Sequence, residues 1–196
     1  MITTEQIKEL RDLTGISVMQ CKKALEEANG DKEKALLILR KKSSAIAEKK
    51  GDRVFGAGVV ECYIHSNKTV GALIELSCET DFVARNEEFV TMARDIAMHL
   101  TATNPEYLDE SQITEDVRAK VTEMFTKEVE ESKKPTDIKA KMMEGKLAGY
   151  FAERTLLAQP FVKNPDITIK QLLDGGVQKF GEKIAIARFS RFAVGK

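Results

Sequence analysis

The sequence predicts an α+β protein. A small N-terminal three-helix bundle of the ubiquitin-associated type is followed by an α/β core, in which a β-hairpin and a C-terminal strand form a small antiparallel sheet packed with helices. Three observations predict this. Apolar residues recur at helical spacing through the first forty positions. At Gly56 the period drops to two, and after Cys78 it returns to the helical one. The last stretch, "KIAIARFSRFAV", is rich in β-branched and aromatic residues and reads as a third strand.

The first helix is announced by Thr3 and Gln6, a capping box, with Ile7, Leu10 and Leu13 as its apolar stripe. Gly15 breaks the chain. Ser17 and Gln20 make a second capping box, followed by Val18, Cys21, Ala24, Leu25 and Ala28. Gly30 suits a left-handed stop, and Asp31 can cap a third helix carrying Ala35, Leu36 and Leu39. Residues 1–41 are therefore expected to be one module. Residues 42–54, charged and poor in large apolar side chains, read as a solvated linker, helical in part. Residues 55–196 are the expected α+β core domain.

In that core Val60, Cys62 and Ile64 alternate with Glu61, Tyr63 and His65. Beyond a turn near Asn67, Val70, Ala72, Ile74, Leu76 and Cys78 alternate in the same way. Matching the apolar faces sets even-numbered residues opposite even-numbered ones, with Cys62 opposite position 72 or 74 and far from Cys78. A helix with Phe89, Ala93, Ile96, Ala97 and Leu100 on one face runs to a stop at Pro105. Further helices are expected over 115–132 and from 136 towards 157, broken at Pro135. "QPFVKNPD" reads as a loop. Thr168 and Gln171 offer a capping box for a short helix through Leu173, stopped at Gly175 and Gly176.

Composition narrows the function. Lys+Arg and Asp+Glu both number 31, so no net field steers the chain to nucleic acid or acidic membranes. No segment approaches the ~20 apolar residues that span a bilayer, and "MITTEQIKEL" is neither a secretory signal nor a transit peptide. A soluble cytoplasmic protein is expected. Three cysteines argue against a disulfide framework, and with the two histidines they show no metal-ligand spacing. Phosphate loops, HExxH and GxSxG are missing, and Cys62 and His65 would point to opposite faces of a strand. The expectation is a binding or regulatory module rather than an enzyme, with no cofactor and no metal site.

The stretch "ETDFVARN", residues 79–86, stands at the strand–helix junction, where a loop should be polar. Two readings stay open. Asp81 or Asn86 could cap the following helix, or Phe82 could be an exposed anchor beside a carboxylate, of the kind that dominates protein interfaces.

"LRDLTGISVMQCKKALEEANGD", "ETDFVARN", "GYFAERTLLAQPFVKNP", "TIKQLL" and "FGEKIAIARFSRFAV" occur in this order, and together they resemble the bacterial elongation factor Ts family over essentially the whole chain. Gln20 stands where the family usually has an acid. One hairpin and one further strand resemble the family's short form, not the long form with two half-cores and a coiled-coil insertion. The resemblance implies a guanine-nucleotide exchange factor for elongation factor Tu. The N-terminal module, through Leu13, Gly15, Val18, Met19, Lys22 and Lys23, would dock on the nucleotide-binding domain of Tu. Thr80, Asp81, Phe82 and Val83 would intrude near its Mg²⁺ site. The short form further implies a homodimer, closed through the sheet face or the terminal strand.

Three other readings compete. An adaptor of the ubiquitin-associated type would bind ubiquitin and not Tu. A thiol enzyme using Cys62 or Cys78 would show a depressed thiol pKa and rapid alkylation. An RNA-binding protein using Arg40 to Arg53 would show steeply salt-dependent affinity.

Overall fold

A computed structural model of the chain describes residues 2–132 and 134–195. Its elements, in order, are α1 (Thr4–Thr14), α2 (Val18–Glu27), α3 (Lys32–Lys49), β1 (Ala57–Ile64), β2 (Val70–Cys78), α4 (Asp81–Ala84), α5 (Glu87–Thr103), α6 (Glu115–Glu131), α7 (Thr136–Arg154), β3 (Pro160–Phe161), β4 (Asn164–Thr168), α8 (Ile169–Phe180) and β5 (Ala185–Ala193). The mixed α+β fold expected from the periodicity is the one found. The chain divides into two compact units, Met1–Thr101 with Lys170–Lys196, and Ala102–Ile169.

In the first unit the three N-terminal helices form where their caps say they should. Thr3 and Gln6 satisfy each other's backbone N–H as a full capping box. Ser17 accepts from the Gln20 N–H, and Asp31 from that of Lys34. That bond, and the Lys34 ammonium beside it, hold the Asp31 carboxyl below its ordinary pKa. Gly15 closes α1 at φ 66°, a left-handed conformation that a side chain would strain. Leu10, Ile16, Cys21, Ala24, Leu25, Ala28, Ala35 and Leu39 make the core of this bundle.

The helix α3 runs on to Lys49, so position 41 falls inside a continuous helix and residues 42–49 are its second half. This half is not merely solvated. Ser43 is buried and donates to the Gln178 side chain, and Ser44 donates to Asp174 at 2.7 Å. Both partners belong to α8.

The sheet has the order β1-β2-β5, antiparallel throughout. Its register differs from the one that matching apolar faces suggests. Cys62 pairs with Leu73 and Ala57 with Cys78, so odd residues of β1 stand opposite even residues of β2. The turn decides this. The His65 N–H donates to the Val70 carbonyl, Lys68 takes φ 58°, and Asn67 Oδ1 accepts from the Thr69 N–H, which closes a four-residue loop and sets an odd offset. The inner face therefore takes Ala72, Ile74, Leu76 and Cys78 from β2. Val60, Cys62 and Ile64 of β1 turn outward with Leu73, and stay exposed.

Helix α8 also departs from the reading. It continues through Gly175 and Gly176 to Phe180. At Gly176 an added Cβ would lie 3.2 Å from the Met92 sulfur and 3.4 Å from Ile184, so the glycine serves close packing against α5 and not helix termination. Phe180 packs edge-on to Phe89 at 5.9 Å.

In the second unit, Ile113, just ahead of α6, packs with Val121 of α6 and Phe151 of α7 in a buried cluster, with Val117, Phe125, Leu147 and Tyr150 around them. Phe125, Tyr150 and Phe151 stack edge to face. The stretch read as a loop holds a short two-stranded sheet, β3 with β4. Pro160 is tolerated there because the strand is short and at an edge.

Candidate functional site

The 79–86 stretch forms a tight corner. β2 ends at Cys78, α4 occupies Asp81–Ala84, and α5 begins at Glu87. Asn86 is the cap of α5, its side chain accepting from the Glu88 N–H at 2.9 Å. The four-residue helix turns one apolar side chain in and the next out. Val83 is 4% exposed, whereas Phe82 is 80% exposed. The ring is flanked by Asp81 and Arg85, which pair at 3.1 Å and are themselves largely in solvent.

Tertiary bonds brace the corner from behind. The Cys78 thiol donates to the Thr80 carbonyl at 3.2 Å. Burial, and then the charge of Glu182, push that thiol's pKa up. Glu182 accepts from the backbone N–H groups of Glu79 and Thr80 and from the Thr80 hydroxyl. Glu79 accepts from the Lys183 N–H and the Arg53 guanidinium, which hold its carboxyl below the ordinary value. Sequence reasoning named Thr80 to Val83 and missed Glu79, Glu182, Lys183 and Arg53. The family-like "FGEKI" contains two of these, but nothing local says that residue 182 meets residue 80.

The other candidate surface lies where α1 ends and α2 begins. Leu13 and Val18, read as members of apolar stripes, are 56% and 53% exposed, and Met19 is 67% exposed. Ile16 alone of this connection is buried, which leaves the flanking apolar residues outside. Gly15 is exposed at the left-handed position between them. Lys22 stands 3.9 Å from Glu26, and Lys23 is exposed beside it. All six residues assigned to docking therefore share an open stretch of the bundle, apolar at one end and basic at the other. An apolar rim with cations is a surface suited to a protein partner.

A third apolar exposure is the outer face of the sheet. Ile64 lies opposite Gly71, which lies opposite Phe192; Cys62 lies opposite Leu73. Ile64, Leu73 and Phe192 are 65%, 47% and 74% exposed. Cys62 is an exposed free thiol, whereas Cys21 and Cys78 are buried. Among the described residues no group of three or more His, Cys, Asp or Glu side chains is gathered to hold a metal ion, and no helix is long and apolar enough to cross a membrane.

Comparison with known proteins adds to this. The sequence pattern of the family "Elongation factor TS" matches residues 23–196, and that of "UBA-like domain" matches residues 1–39. Elongation factor Ts of Carboxydothermus hydrogenoformans is 50% identical over 196 residues, which is 100% of this chain and 90% of the relative. That of Thermodesulfovibrio yellowstonii is 48% identical over 195 residues, covering 97% of the relative. That of Thermosipho melanesiensis is 43% identical over 196 residues, with both chains covered completely.

Proposed function

This chain belongs to the elongation factor Ts family, and from that premise we propose that it exchanges guanine nucleotide on elongation factor Tu during translation, in the cytoplasm. The N-terminal module docks on the nucleotide-binding domain of Tu through Leu13, Gly15, Val18, Met19, Lys22 and Lys23. The Thr80–Val83 corner then enters near the partner's Mg²⁺ site. Phe82 acts as a wedge. Driven between elements of the GTPase, it displaces those that hold the metal and the phosphates, and GDP loses its charge-assisted contacts. The observation that carries this reading is the Phe82 ring, 80% exposed on a corner whose neighbour Val83 is buried. An aromatic in solvent gives up apolar burial in the free protein and regains it only in a complex.

No covalent step is needed, so the protein is a binding factor and not an enzyme. The Mg²⁺ is the partner's, and this chain requires no cofactor or metal of its own. The factor and GDP bind Tu with negative coupling, and linkage makes the effect reciprocal. Each ~1.4 kcal/mol of coupling changes nucleotide affinity about tenfold. The factor speeds equilibration, and the excess of GTP over GDP sets the direction.

The outer sheet face supports a second element of the proposal, a homodimer. A row of exposed Ile64, Leu73 and Phe192 on a regular sheet suits a self-complementary, two-fold contact with another copy. The experiment that tests the exchange function is stopped-flow release of a fluorescent GDP analogue from purified Tu. Acceleration by this protein supports the reading; no acceleration on a competent Tu overturns it.

A further inference from the structure

Thr80 occupies the cap position of α4, yet its side chain makes no cap hydrogen bond. The hydroxyl donates instead to Glu182 Oε1 at 2.6 Å. The other oxygen of that carboxylate accepts from the backbone N–H groups of Glu79 and Thr80, each at 3.0 Å. Three donors from two consecutive residues thus converge on one side chain that lies over one hundred positions away in sequence.

The contact is reciprocal. Glu79 Oε1 accepts from the Lys183 N–H at 2.5 Å, and both Glu79 oxygens accept from Arg53 at 3.1 Å. Lys183 Nζ donates to the carbonyls of Gly51 and Arg53 at 2.6 and 2.9 Å, and sits 4.4 Å above the Phe55 ring. Three segments meet here: the turn after α3, the end of β2, and the turn from α8 into β5.

The position of this knot matters. Glu79 and Thr80 are the only two residues between β2 and α4. Their dihedrals set the direction in which the four-residue helix leaves the sheet, and so the direction in which Phe82 points. Glu182 fixes both amides at once. A wedge that must enter a partner loses less entropy on binding if its direction is already set.

We propose that Glu182 is a positioning residue for nucleotide exchange: acting through the Thr80 hydroxyl and the Glu79 and Thr80 amides, it aims Phe82 at the partner. This deepens the wedge reading and rests on it. A carboxylate that merely stabilises the α8–β5 turn predicts something different, a loss of stability with no specific loss of exchange.

The test uses the full chain and five variants: Glu182→Ala, Glu182→Gln, Thr80→Val, which removes only one donor, Phe82→Ala, and Phe82→Ala combined with Glu182→Ala. Amide hydrogen exchange of the free protein is followed by NMR. Protection at the Glu79 and Thr80 amides is expected to fall at least about tenfold in Glu182→Ala and less in Glu182→Gln, with the Ile74 and Leu76 amides unchanged. In GDP release from Tu, titrated with the factor, the maximal rate is expected to fall about tenfold in Glu182→Ala while the half-saturating concentration, governed by the N-terminal docking surface, stays within about twofold. Adding Glu182→Ala to Phe82→Ala should cost little more, because both act through the same ring. Unchanged protection at residues 79 and 80 overturns the latch, whatever the GDP assay gives. Lost protection with an undiminished rate overturns the positioning role and leaves exchange standing. Full additivity with Phe82→Ala also overturns it. A wild type that does not release GDP overturns the function on which the inference rests.

Discussion

Phe82 and Ile64 are both apolar, lie in the same compact unit and are mostly in solvent, at 80% and 65% exposure. Their surroundings separate them. Ile64 lies in a flat row with Gly71 and Phe192, on strands whose hydrogen bonds already fix the backbone. Phe82 rises alone from a four-residue helix, between the charges of Asp81 and Arg85, on a junction held by the Glu182 carboxylate and the Lys183 N–H from a distant segment. A flat apolar row can be covered only by a surface of similar shape, such as the same face of a second copy would offer. A single ring on a stiff corner can enter a crevice that a sheet cannot. Exposure alone therefore does not assign a partner; the stiffness and shape of what carries the ring do.

The sharpest way to break the comparison is at the residue next to Phe82. Val83→Asp puts a charge into a site that is 4% exposed, and it should cost about 3 kcal/mol or more in urea unfolding. Phe82→Asp, one position away, should stay within about 0.5 kcal/mol of the wild type. Equal costs would mean that the two side chains are not divided between core and solvent.

The flat row is probed next. Ile64→Lys should raise the dimer dissociation constant at least about tenfold by sedimentation, with stability changed by no more than about 0.5 kcal/mol. Cys62, on the same face, reports on it directly. Its alkylation should slow as wild-type concentration rises through the dimer range and stay fast in Ile64→Lys. Cys21 and Cys78 should react slowly in both, because burial raises their thiol pKa and leaves little thiolate. A Cys62 rate independent of concentration counts against a dimer on this face.

The smallest effect is expected from pH. The Lys183 N–H and then Arg53 lower the folded pKa of Glu79, with Lys50 adding its charge, while Glu182 lies on the other side of the knot. A lowered folded pKa contributes stability that is full above the unfolded value, about 4.3. It is lost as pH falls through the folded value. The stability difference between wild type and Glu79→Gln should therefore be steady near neutral pH and shrink as pH falls below about 4.3 and through the lower folded value. A difference that grows on acidification would contradict the bond pattern.

Much of this architecture is legible in the chain because its causes are local. Thr3 with Gln6, Ser17 and Asp31 mark helix starts that a three-residue hydrogen bond makes. The two strands of the hairpin follow from their alternation. What escapes the sequence is set by tertiary geometry. The hairpin's offset comes from the left-handed Lys68 in its loop, which outweighs the match of apolar faces. Gly176 reads as a stop, yet it sits against Met92, a contact no periodicity announces. At the candidate site, the family-like segment marked Thr80 to Val83, while Phe82 and Val83 looked alike until burial parted them. Glu182 was invisible as a partner of Thr80, because the chain between them is a whole domain's length.

The most direct test of the wedge is the stopped-flow release of fluorescent GDP from Tu by wild type and Phe82→Ala at matched concentrations. Truncating an interface anchor of this kind is expected to cost at least about 2 kcal/mol, or roughly 30-fold in rate, with an unchanged unfolding midpoint. Equal acceleration by the two proteins would contradict the account and move the work of exchange away from the ring.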